Sequence, residues 1–164
     1  MSQFKRKLSA FTAMLALISF SGAAMAVTSS DVIGKTGNTS VVDTSKVRTD
    51  INITSGKAGD VGQIDFKNFN VGKGEHLNYG FSNVSQTMIN RVLGGNESQI
   101  LGKITNSCIN GGSCTSYATT SKVILINPAG VMFGQGSTVD LNSFTVSTFD
   151  FNGAKNLKGM TSSA

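Results

Sequence analysis

Short hydrophobic runs alternate with polar turn residues along most of this 164-residue chain. Ile51 and Ile53 flank Asn52, Ile64 and Phe66 flank Asp65, and Leu77, Tyr79 and Phe81 hold a period of two. Met88, Asn90 and Val92 share one face of a strand with an embedded Asn, and Ile100, Gly102 and Ile104 repeat the pattern with an embedded Gly. Val139 and Leu141 alternate again, as do Phe144 and Val146. Period-two alternation marks strands with one face in a core. Val123-Ile124-Leu125-Ile126 is continuously apolar and predicts a strand buried on both faces. Phe149 and Phe151 fall out of register with Phe144 and Val146, which predicts a bulge or corner near Ser147-Thr148.

Turn signals separate these runs at Ser55-Gly56, Gly72-Lys73-Gly74, Gly94-Gly95-Asn96, Gly134-Gln135-Gly136 and Asn152-Gly153. Many short strands at such spacing indicate an all-β fold. The turns are irregular, and the inward positions mix aliphatic residues with Gly and Asn. Inward Asn side chains stack in ladders when successive coils align in parallel, so a parallel β-helix is favoured over a sandwich. The repeat length is uneven, as at the capped end of a solenoid. Residues 159–164 carry no closing cap, and a solenoid needs both ends covered. The chain is therefore expected to be the N-terminal piece of a longer polypeptide, truncated at its C-terminal end.

The first residues follow a different pattern. Lys5, Arg6 and Lys7 precede an apolar stretch from Leu8 to Phe20, and small residues then lead to Ala24-Met25-Ala26. This is the layout of a cleavable signal peptide, cut after Ala26 to leave Val27 as the mature N-terminus. The apolar stretch is shorter than the roughly 20 residues of a spanning helix. Loss of Lys5, Arg6 and Lys7 lowers the net charge from +5 to +2. With no basic patch left, nucleic acid is not an expected partner. Export also bears on Cys108 and Cys114, the only cysteines, which have five residues between them. In an oxidising compartment the pair is most simply a disulfide, and Gly111-Gly112 permits the tight loop it closes.

Candidate chemistry is sparse. His76 is the only histidine and lacks the partners of a triad or zinc site, so it reads as a solvent-facing strand or turn residue. Asp31, Asp43, Asp60 and Asp65 lack a Gly-flanked calcium repeat and read as turn residues. Gly72-Lys73-Gly74 lacks phosphate-loop spacing. Arg91 reads as a solvent-face charge, with Glu75 or Glu97 as ion-pair candidates or the cap as its anchor. No catalytic residue, metal site or cofactor is expected.

One segment is more specific: Val123 to Phe144, containing Asn127-Pro128-Ala129-Gly130-Val131, then Phe133-Gly134. Upstream stand Phe69-Asn70-Val71-Gly72-Lys73-Gly74-Glu75, Asn90-Arg91-Val92 and Ser98-Gln99-Ile100-Leu101-Gly102-Lys103-Ile104. Downstream is Thr145-Val146-Ser147-Thr148-Phe149-Asp150. The series resembles the filamentous-haemagglutinin-type secretion domain of two-partner (type Vb) exoproteins, most closely the high-molecular-weight adhesin branch. The resemblance runs from about Val27 to the end. It implies a right-handed parallel β-helix with an N-terminal cap. It also implies a Sec signal, removed by signal peptidase, and recognition in the periplasm by a TpsB-type outer-membrane β-barrel transporter. The destination is the surface or surroundings of a Gram-negative bacterium. Host-cell receptors or glycans are implied as targets of an adhesive part further along. The family motif has the form Asn-Pro-Asn-Gly-Ile, and Ala129 departs from it. Pro128 still fixes φ and holds Asn127 out of the helical region, and Gly130 still permits positive φ. A sharp turn is expected there, with Val131 and Phe133 returning to the core. Whether Asn127 to Val131 supports folding or touches the transporter stays open at this point.

The leading expectation is a non-enzymatic secretion domain of an adhesin-like exoprotein that nucleates β-helix folding during export. The alternatives are a β-helix polysaccharide lyase, which would need a groove of carboxylates and basic residues, and a self-contained adhesin subunit.

Overall fold

The computed structural model describes residues 27–109 and 120–149. Among them are twelve strands and one 3-10 turn, Ser29–Asp31. The strands are β1 (Val32–Thr36), β2 (Thr39–Ser45), β3 (Arg48–Ile53), β4 (Val61–Phe66), β5 (His76–Phe81) and β6 (Thr87–Val92). They continue as β7 (Ser98–Ile100), β8 (Lys103–Cys108), β9 (Lys122–Ile126), β10 (Val131–Phe133), β11 (Thr138–Asp140) and β12 (Phe144–Ser147).

The strands form three sheets. One has the order β1-β4-β6-β9-β12, the second β2-β3-β5-β8-β11, and the third pairs β7 with β10. From β3 onward every pairing is parallel and joins one coil to the next. Only β1 with β4 and β2 with β3 are antiparallel. These two strands close the first coil as a cap, and every later coil finds its backbone partners in its neighbours. This is a parallel β-helix with an N-terminal cap. The steps between coils are uneven: Arg48 pairs with His76, His76 with Lys103, and Lys103 with Thr138. The third coil is the long one because segment 110–119 is inserted between β8 and β9.

The core lies inside the coils. Ile51, Ile53, Leu77, Tyr79 and Phe81 enter from one sheet, and Ile64, Phe66, Met88, Val92, Val123 and Leu125 enter from the other. Phe66 and Phe69 meet edge to face, their centroids 5.3 Å apart. Val71, bridged to Ile100, closes the first coil on the third side.

Five expectations change. Ile100 and Ile104 are both buried, but they belong to β7 and β8 and not to one strand. A corner at Leu101-Gly102 separates them, where both amides donate to Val71 O, so the even spacing came from a corner that keeps both side chains inward. In β9, Val123, Leu125 and Ile126 are buried but Ile124 is only half-buried. Among the described residues no inward Asn ladder forms: Asn90 is stacked between Ile64 and Leu125, while Asn52 pairs across to Gly80 on the outer face. Asp43 and Asp65 are strand residues, in β2 and β4, and not turn residues. Phe133 does not return to the core. It is 45% exposed and touches Phe144 edge to face, because among the described residues no further coil lies against β10, β11 and β12. The corner expected near Ser147-Thr148 is present, with Ser147 Oγ accepting from Phe149 N at 3.1 Å. Phe151 lies outside the described residues.

Candidate functional site

The Asn-Pro segment forms the corner between β9 and β10. Asn127 is fully buried, and every polar group it carries is used. Its Nδ2 donates to Asn96 O and Ser98 Oγ, each at 2.9 Å, which ties the corner to the coil before. Its backbone N donates to Ser147 O at 2.9 Å, which ties it to the coil after. Its Oδ1 accepts from Ala129 N at 3.0 Å and its carbonyl from Gly130 N at 3.0 Å, closing the turn on itself. Gly130 has φ 107, a conformation that strains any side chain. Gly130 O then accepts from Ser98 N at 3.0 Å, at the start of β7. One residue thus links three coils, to the coil before by its side chain and to the coil after by its backbone, while Pro128 and Ala129 face outward. A notch of about 170 Å³ beside them is lined by Val92, Leu93, Gly95, Asn127, Pro128 and Ala129, with Leu93 47% exposed. Val131 is half-buried against the core.

The other residues of the family blocks fall into two groups. Val92 is core, and Gly102, Gln99 and Gly134 build the next corner. A methyl group at Gly102 would overlap the carbonyl oxygens of Gly72 and Glu75, so only glycine fits between those turns. Glu75 Oε2 accepts from Gly72 N and closes the turn beneath. Gln99 N donates to Asn70 Oδ1 at 2.8 Å, and Gly134 N to Ile100 O at 2.8 Å. Gly72-Lys73-Gly74 is thus part of a stacked corner.

Arg91 forms its ion pair with Asp65, a partner that was not among the expected ones. Its guanidinium meets Asp65 in bidentate fashion, Nε to Oδ1 at 2.9 Å and Nη2 to Oδ2 at 2.7 Å. Parallel pairing sets Asp65 directly opposite Arg91, which decides the partner. Since β1 lies on the other side of β4, the pair stands next to the cap. Asn90 points the other way. Its Nδ2 donates to Ile124 O at 3.2 Å, while its Oδ1 and the Tyr79 hydroxyl, both buried, make no hydrogen bond of good geometry. Burial pushes the Tyr79 phenol far up, and the facing Asn90 amide pulls it partway back.

A polar network covers the outer face of the β3-β5-β8 sheet. Asn78 donates to Asp50 and Ser107, each at 2.9 Å, and accepts from Thr105 at 3.0 Å. His76 joins it through Thr105 at 2.7 Å and Arg48 at 3.4 Å. Burial, then Arg48 and Lys103, hold the His76 imidazole below its ordinary value. Burial works against the charge of Asp50, but hydrogen bonds from Arg48, Thr44 and Asn78 prevail and keep its carboxyl below its ordinary value.

Sequence reasoning placed Asn127 to Gly130 at a turn, but it missed Asn96 and Ser98 as the groups Asn127 grips. Ser98 sits 29 positions before Asn127, and a coil of irregular length hides that separation. Asp65 was missed as the partner of Arg91 for the same reason. Cys108 ends β8, and Cys114 lies outside the described residues, as does Ala26.

A family model described as "TPS secretion domain" matches residues 26–163. The fold is similar to that of the crystal structure of the HMW1 secretion domain from Haemophilus influenzae, with a TM-score of 0.60 and 23% identity over 79% of this chain and 30% of that one. Among curated proteins, the heme/hemopexin-binding protein of Haemophilus influenzae is 33% identical over 98 residues. The same protein of strain ATCC 51907 / DSM 11121 / KW20 / Rd is 32% identical over 88 residues. These matches cover 60% and 54% of this chain but only 9% and 8% of the relatives.

Proposed function

Because the chain belongs to the TPS secretion domain family, we propose that it addresses an exoprotein to a cognate TpsB-type outer-membrane transporter through the exposed half of the Asn127 corner. Its role is secretion, and family membership points to a non-enzymatic one. A signal peptide ending at Ala26 takes the chain through the Sec machinery, and signal peptidase removes it. The transporter's periplasmic repeats then recognise the domain, and the cap with its first coils nucleates the β-helix as the chain emerges. The exoprotein is of the adhesin type and ends at the surface or in the surroundings of a Gram-negative cell. Host receptors or glycans are targets of a part beyond these residues. Cys108 and Cys114 form a disulfide that closes a small loop after β8, which a thiol-reactive mass label on the non-reduced chain would detect as two protected sulfurs.

The observation that carries the assignment of the corner is its division into two halves. The Asn127 side chain is consumed by the fold, so a partner at this corner meets Pro128 and Ala129 with the adjoining Leu93 and Gly95. The test is a pull-down of the purified domain with the transporter's periplasmic repeats. Wild type is retained, and Ala129→Glu is lost from the beads while its far-UV circular dichroism stays unchanged. Failure of wild type to bind the repeats overturns the assignment. Detectable depolymerisation of a polysaccharide would instead support the lyase alternative.

A further inference from the structure

The first residues after the expected cut are pinned into the cap. Val27 is 1% exposed and belongs to the main core. Its N–H donates to Asn70 O at 2.7 Å, and its carbonyl accepts from the buried Thr49 Oγ1 at 2.8 Å. Thr28 N donates to Asp31 Oδ2 at 3.0 Å. Ser29 N donates to both carboxylate oxygens of Asp43, at 3.0 and 3.1 Å, and its hydroxyl adds a third bond at 2.6 Å. Three successive amides are therefore bound to three places: the end of the first coil, the 3-10 turn and strand β2.

A protease binds the chain around a scissile bond in extended form, through main-chain hydrogen bonds of its own. Cutting inside a folded segment waits for that segment to open. With Val27, Thr28 and Ser29 docked, the segment just past Ala26 offers neither free amides nor a free side chain at Val27. We propose that Val27–Asp31 is a latch whose docking and signal-peptidase cleavage of Ala26–Val27 exclude each other. The cut must then precede closure of the cap, and a precursor that folds first keeps its signal. The inference rests on the reading of Ala26–Val27 as the cleavage site. In the cut itself, water adds across the amide: hydroxyl goes to the Ala26 carbonyl carbon and a proton to the Val27 nitrogen. The products are a carboxylate on Ala26 and an ammonium on Val27. That ammonium keeps Asn70 O as its acceptor, so the latch closes after the cut with the same bond.

The order of events is measurable on the full chain with its leader. The precursor is unfolded in urea, then given to detergent-solubilised signal peptidase either at the moment of dilution or after refolding. The refolded precursor is expected to be cut at least about tenfold more slowly than the freshly diluted one. N-terminal sequencing of the product should read from Val27. Asp43→Asn and Thr49→Val weaken the side-chain bonds that hold the latch, and together they should restore rapid cutting to a refolded precursor. Equal rates for refolded and freshly diluted wild type would overturn the latch. So would a refolded double variant with an unchanged β-sheet spectrum that stays uncut. Absence of cutting even in the freshly diluted chain would instead remove the cleavage site, and the latch with it.

Discussion

At the corner between β9 and β10 the stacked coils are tied by a side chain, and at the corner between β7 and β8 they are tied by the lack of one. Asn127 makes its bonds at 2.9 to 3.0 Å to the coils before and after it and to its own turn. Gly102 makes none with a side chain; it lets the carbonyls of Gly72 and Glu75 come close enough for the amides of Leu101 and Gly102 to reach Val71 O. The first corner fails when partners are lost, and the backbone around it can stay in place. The second fails when volume is added, and the backbone must move. A β-helix corner can therefore be specified by polar saturation or by exclusion, and the two leave different traces under mutation.

Gly102→Val should have the largest effect. Its Cβ would overlap two backbone oxygens that belong to a different coil, and neither can yield without breaking the turn that Glu75 closes. A loss of about 4 kcal/mol or more is expected, enough to prevent folding of a domain of ordinary stability. Urea unfolding followed by tryptophan-independent circular dichroism reads it. Asn127→Ala comes next, at about 2–4 kcal/mol, because it strands Ala129 N and Asn96 O without their partner. Combining it with Ser98→Ala separates the two modes of failure. The double variant should cost less than the sum of the singles, since both remove the same 2.9 Å bond. Strict additivity would mean that the Asn127 corner also works by shape.

The same contrast explains what the sequence disclosed. Period-two alternation located the inward residues of β3 to β6 because parallel coils bury one face of each strand. Pro128 and Gly130 announced their corner because their backbone preferences are local. The partners of that corner were not legible, since Asn96 and Ser98 reach Asn127 only through the coil register. The Gly102 corner passed for the middle of a strand: Ile100 and Ile104 kept the strand spacing, and a close approach of two backbones leaves no mark beyond a glycine. Phe133 was misplaced because its neighbours in sequence do not tell whether another coil covers it.

Away from the corners, coil-to-coil ties on the outer face should weigh less. Asp65→Ala removes a bidentate pair whose side chains are about one-fifth exposed, and a loss of about 1 kcal/mol is expected. A smaller effect concerns pH. His76 is held below its ordinary value of 6.5 in the folded chain, so on acidification the unfolded chain takes up its proton first. Stability should fall as pH drops below 6.5 and level off below the folded value. His76→Gln should flatten that slope between neutral and mildly acidic pH. The contribution of Asp50 persists above its ordinary value of 3.8 and is lost as the pH falls through its lower folded value, so it does not confuse the reading.

The smallest change in stability is expected from Ala129→Asn, which restores the residue that the family motif carries at this position. The Ala129 amide is already bound by Asn127 Oδ1 and the Gly130 amide by Asn127 O. The two turn amides that an added side-chain oxygen could accept from are therefore already occupied. A change within about 0.5 kcal/mol follows if the outer half of the corner is independent of the fold. Affinity for the transporter's periplasmic repeats, measured on the same preparation, is then the informative quantity. A rise in affinity at constant stability would assign the outer half to the partner and the inner half to the coils. A gain in stability above about 1 kcal/mol would mean that the added amide bridges to a neighbouring coil, and the division of the corner at Asn127 would have to be redrawn.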